Sequence, residues 1–178
     1  TLAGGWLALT ETLNQLAHRN RYSPGANDNA SGVGVVLALA EHFAAHPPDH
    51  VRLGCLFTGA EETGLHGATA FAAALDPATT AVLNFDMVGA GNRLGFVAKD
   101  GTLFALKTDE KLNALVRAAH PAVESLHYTL RSSDVVPFLR RNIPATGLQT
   151  LGSPDAELAY HTLNDSLAVV QPAALDLA

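Results

Sequence analysis

Glu61 and Glu62 stand side by side in the stretch FTGAEETGLHG, between a strand-like run, VRLGCLFTG, and a helix-like one. Neighbouring side chains on a strand or tight turn point in different directions, so the two carboxylates can do different work. One can ligate a metal ion while the other takes a proton from water, which is the division of labour that metal-assisted hydrolysis needs. Three further stretches carry groups of the same kind. Asp28 lies between two asparagines in the Gly-rich GANDNASGVGVV, Asp86 closes the apolar run AVLNFDMVG, and Tyr160 precedes His161 in AYHTLNDS. Asp28, Glu62, Asp86 and His161 make an oxygen-rich set with one imidazole, suited to zinc or a similar divalent ion. Each has a plainer alternative. Asp28 can cap the helix that follows, and His161 alone is a common surface residue. Asp86 resists such a reading, because a carboxylate ending an apolar strand is costly to bury without a cation or donors.

The elements that must position these groups alternate between strand and helix. Ser31–Ala45 reads as a helix with Val33, Val36, Leu37, Ala40 and Phe43 on one face, ended by Pro47-Pro48. Val51–Thr58 follows as a buried strand, then a helix over Leu65–Leu75 and a second buried strand over Ala81–Asp86. A strand is expected at Arg93–Ala98, a helix at Thr108–Ala119, a strand at His127–Leu130 and a helix at Val135–Arg141, capped by Asp134. A last strand at Ala145–Gln149 precedes a final segment, Ser166–Leu177, broken by Pro172. This order predicts an α/β fold: a mostly parallel or mixed central sheet with helices on both faces, in one domain. Ligands in such sheets sit beyond the carboxyl ends of strands, where Glu61, Glu62 and Asp86 fall.

Composition narrows the class. Of the 178 residues, 48% are hydrophobic and 16% charged, enough apolar material for a sizeable core. The net charge is −6 with no basic cluster, which argues against a nucleic-acid partner. No apolar run is long enough to span a bilayer as a helix. The single cysteine, Cys55, falls in the apolar run before Glu61 and reads as a buried packing residue. His42, His46 and His50 recur every four residues, but Pro47-Pro48 breaks the helix that would align them, and His66 faces outward on the helix after the glutamates.

The succession GANDNASG, GAEETGLHG, NFDMVG, SSDVVPFLRRNIPA and YHTLNDS resembles the co-catalytic di-zinc aminopeptidases of the secreted bacterial type, over roughly Ser23 to Ser166. The resemblance implies a zinc-dependent exopeptidase acting on peptides, with two zinc ions per chain. It implies that Asp28 bridges the ions, that Glu62 and His161 ligate one, and that Asp86 ligates the other. Glu61 is then the general base and Tyr160 an oxyanion-side hydrogen-bond donor, while Asn27, Asn29 and Asn164 shape the loops. A bridging role suits a carboxylate, which has two oxygens to share, and not a neutral imidazole. The resemblance also points towards a secreted or periplasmic location.

Two departures from the family pattern matter. A histidine that follows Ser-Asp in the family is replaced here by Val135. The family also places a His-x-Asp motif at a strand end before the bridging aspartate; here the only upstream histidine is His18, in His18-Arg19-Asn20. Trp6, Leu9, Leu13, Leu16 and Ala17 before it recur at helical intervals, so residues 1–22 read as an insertion or irregular helical segment rather than that strand. The chain accordingly reads as the C-terminal two-thirds of such a domain, lacking its first strands. Without that histidine, one ion on Asp28, Glu62 and His161 is the expectation. The alternatives are a single-zinc enzyme of the glutaminyl-peptide cyclotransferase kind, disfavoured by Asn-Asp-Asn around Asp28, and a non-catalytic module.

Overall fold

A computed structural model describes residues 22–102, 104–128 and 131–178; His18 and the expected insertion lie outside these, apart from Tyr22. Helix α1 spans Ser31–Ala45 and α2 His66–Ala72. Strands β1 (Val82–Phe85), β2 (Arg93–Asp100) and β3 (Leu106–Lys107) follow, then helix α3 (Glu110–Ala119) and strand β4 (Glu124–His127). Helix α4 (Val135–Arg140), strand β5 (Ala145–Leu151) and helices α5 (Pro154–Ala159) and α6 (Pro172–Leu175) complete the order.

The sheet is mixed. Strand β5 lies between β1, which it pairs in parallel from Val82↔Ala145 to Phe85↔Leu148, and β2, which it pairs antiparallel. The far edge of β2 holds β4 in parallel, while the short β3 pairs antiparallel with the end of β2 on its β5 edge. Side chains alternate along β5, so Ala145 and Leu148 face opposite layers. On the Ala145 side, Val135, Phe138 and Ile143 pack with Ala68 and Ala72 of α2. On the Leu148 side, Leu94 and Phe96 pack with Val116 of α3. Helices therefore cover both faces, and β5, the most buried strand, holds the layers together.

Three expectations need correction. Val51–Thr58 forms no ladder with any described strand and is mostly exposed, Leu53 at 50% and Phe57 at 48%. An extended run becomes a strand only where a neighbour takes its backbone donors and acceptors, and among the described residues none does. Cys55 within it is consequently exposed rather than a core residue. The face of α1 expected to be buried is largely open, with Val33, Leu37 and Phe43 all exposed. The helix instead seats on the sheet through Ser31, Gly32 and Val35. Gly32 is required there, since a Cβ would lie 2.2 Å from the Phe85 carbonyl oxygen. Strand β3 and helix α5 were not anticipated, although Ser153-Pro154-Asp155 is a legible helix start whose Ser153 side chain accepts from the Ala156 N–H.

Candidate metal centre and active site

Asp28, Glu61, Glu62, Asp86, Tyr160 and His161 all line one cavity of about 230 Å³. They arrive from four separate segments. Asp28 sits in an irregular turn, Ala26–Ala30, ahead of α1; the glutamates follow the extended run before α2. Asp86 emerges from the end of β1, and Tyr160 and His161 follow α5.

The turn at Asp28 answers the capping question. Its neighbour Asn29 caps α1, with Oδ1 accepting from Gly32 N–H at 3.0 Å, which leaves the Asp28 carboxylate to the cavity. Asn29 also braces the strand end that carries Asp86. Its Oδ1 accepts from Met87 N–H at 3.2 Å, and its Nδ2 donates to the Phe85 carbonyl at 2.9 Å. Asn27 holds the same strand end one step on, its Oδ1 accepting from Gly89 N–H at 3.0 Å. The third loop-shaping asparagine, Asn164, is exposed, and its role passes to the next residue. Asp165 is 2% exposed and accepts from the backbone N–H groups of Asn27 at 2.8 Å and Asp28 at 3.0 Å. It thereby ties the Asp28 turn to the segment bearing His161. Sequence reading missed Asp165, although its position four residues after His161 was the available signal.

His161 Nε2 lies 3.1 Å from Glu62 Oε1 and 3.3 Å from Asp28 Oδ2. One ligating atom from each of the three falls within 4.8 Å of the others, a cluster that a single ion could join. Several backbone positions here are strained. Ala60 before the glutamates, Met87 after Asp86, and His161 itself all have φ between 54° and 58°, the left-handed region that side chains with a Cβ avoid. The packing around them therefore holds the direction of these side chains against local preference.

The electrostatics fit a divalent cation. Burial, then the charges of Asp86 and Glu62, push Glu61 up to about 8. Burial and the neighbouring Asp28 raise Asp86 to about 7. Hydrogen bonds to Asp28 and Glu62 lift His161 to about 10. Carboxylates this crowded resist shared ionisation unless positive charge joins them, and a divalent ion supplies it. Oxygen and imidazole donors together are the usual choice of zinc. Burial raises Tyr160 to about 12, so its phenol stays a neutral donor.

Asp134 departs from its expected role. It holds the N-cap position of α4 but makes no capping bond; its Oδ2 accepts from Thr58 Oγ1, and Oδ1 is buried without a partner. The bond ties the run leading to Glu61 against α4. His66 is exposed at the start of α2, and the exposed His42 and His46 rings stack 4.8 Å apart.

Replacing Asp165 by Asn sets a donor against one of the two N–H groups it now accepts. Zinc affinity is expected to fall about 10–100-fold, the range for losing a group that orients a ligand. Competition against a fluorescent zinc chelator measures this directly, and an unchanged affinity would remove Asp165 from the metal centre.

Comparison with known proteins places this site in context. The model for Peptidase family M28 matches residues 7–178. Aminopeptidase YwaD of Bacillus subtilis is 30% identical over 159 residues, covering 82% of this chain and 33% of its own length. The chain thus spans about a third of that relative. Among solved structures, a zinc aminopeptidase from Bacillus subtilis superposes with a TM-score of 0.70 at 27% identity, over 86% of this chain and 39% of that one. An aminopeptidase from Aneurinibacillus sp. strain AM-1 does so with a TM-score of 0.64 at 29% identity, over 86% and 37%.

Proposed function

The chain belongs to peptidase family M28, and from that premise we propose that it is the catalytic part of a zinc-dependent aminopeptidase, residues 1–178 forming one domain. The observation that carries the reading is the convergence of Asp28, Glu62 and His161, with Glu61 beside them on the same cavity. Asp28, Glu62 and His161 would hold one zinc ion, and Asp86 together with Asp28 would supply carboxylates towards a second. Zinc, when bound, supplies a Lewis acid that polarises the scissile carbonyl and lowers the pKa of water to about 7.

The chain's own residues do the rest. Glu61, next to a ligand but not one itself, takes the proton of the attacking water and returns it to the leaving amine as the C–N bond breaks. Cationic charge alongside offsets the burial and neighbouring carboxylates that otherwise raise its pKa, leaving it ionised and able to act as a base. The neutral Tyr160 phenol donates a hydrogen bond to the carbonyl oxygen as negative charge develops there. Asn29 and Asp165 hold the Asp28 turn against the Asp86 and His161 segments, so the centre is largely formed before substrate arrives.

Elemental analysis of the purified chain, alongside hydrolysis of aminoacyl-nitroanilides, tests the proposal. The expected result is zinc at the Asp28, Glu62 and His161 cluster, a second ion where a histidine outside the described residues completes the Asp86 site, and activity lost to chelator and restored by zinc. One ion with activity would confine the centre to Asp28, Glu62 and His161. Zinc-loaded protein inert towards every aminoacyl substrate would overturn the reading.

A further inference from the structure

The cavity has a second chemical character. Besides the acidic groups, it is lined by Thr102, Tyr128, Arg131 and Ser132. The arginine stands out. Its guanidinium carbon lies 4.5 Å from the centroid of the Tyr160 ring, and that ring stacks on the His161 imidazole at 3.8 Å. The cation is thus held within two ring contacts of the proposed zinc ligand.

Among the described residues Arg131 forms no ion pair; the arginine pairs there are Arg93–Glu124 and Arg117–Glu110. Arg131 lines the same cavity as the carboxylates of Asp28, Glu61, Glu62 and Asp86. A guanidinium held over an aromatic face keeps its N–H donors for a ligand. A planar fork of N–H donors matches a carboxylate in two-point contact.

Resting on the proposed peptidase activity, we infer that Arg131 binds the C-terminal carboxylate of short substrates, making dipeptides and tripeptides the preferred class. A short peptide ends in a carboxylate close to the bond being cleaved, and Arg131 offers that group a cationic complement on the wall of the same cavity. The C-terminal charge of a long peptide would fall beyond reach of that guanidinium.

The test compares kcat/KM for Leu-Leu and for Leu-Leu amide, which differ in the terminal charge alone. The zinc-loaded protein is expected to favour the free acid by about 10–100-fold, the scale of a hydrogen bond to a charged group. Arg131→Met should collapse that ratio towards one, and Arg131→Lys should retain part of it. Any disturbance of Tyr160 affects both substrates and cancels in the ratio. Equal hydrolysis of acid and amide by the parent protein would overturn the inference while leaving the aminopeptidase standing. So would a ratio that survives Arg131→Met. The acid–amide comparison needs only the parent protein, so it decides the matter even if a variant fails to fold. Failure to hydrolyse any aminoacyl substrate, by contrast, would strike the underlying activity.

Discussion

Glu61→Gln lowers kcat by about 10²–10⁴-fold, the usual contribution of a positioned general base, and leaves zinc content unchanged. The substitution keeps the shape of the side chain and its hydrogen-bonding reach but removes the ability to accept a proton at neutral pH. Metal is retained because Glu61 is outside the cluster formed by Asp28, Glu62 and His161. The fold is retained because Glu61 lies on the wall of an open cavity, not among the buried side chains of either core layer. Measuring kcat on an aminoacyl-nitroanilide together with zinc content separates the two effects. Near-normal turnover would remove the base from Glu61. Zinc lost along with activity would instead make it a ligand.

Glu62→Ala, one residue along, has the opposite signature: zinc itself is lost. It deletes one of three converging ligand atoms and one of the two carboxylates that hold His161 Nε2, at 3.1 Å. The expected loss of affinity exceeds the roughly 10–100-fold that removing an orienting partner costs. Activity should fall with zinc occupancy and recover in part at high zinc. The Glu62 side chain is 56% exposed, so its truncation leaves the fold intact. Chelator competition reads the affinity, and a value near that of the parent protein would exclude Glu62 from the centre. Adjacent residues with contrasting phenotypes are a sharper test than either variant alone.

How far these residues could be read in advance depended on the range of the interactions involved. Helix α1 was legible from end to end because its start and its Pro47-Pro48 stop are local signals. The run Val51–Thr58 was misread because composition reports a residue's affinity for a strand, not the presence of a neighbour to pair with it. The same limit applies to Cys55, whose apolar surroundings in sequence are not apolar surroundings in space.

The residue types alone determined that this chain carries groups fit for a metal centre and a base, because carboxylates, an imidazole and a phenol have that chemistry wherever they stand. Tertiary structure decided which partners each would have. Asn29 rather than Asp28 caps α1, and its side chain also grips both neighbours of Asp86 across more than fifty residues of sequence. Asp165 holds the Asp28 turn from 137 residues away, and Arg131 meets Tyr160 through a contact that no local pattern records. Hydrogen bonds and stacking act over a few ångströms of space, so the braces of a site assembled from four segments come into being only when the chain has brought those segments together.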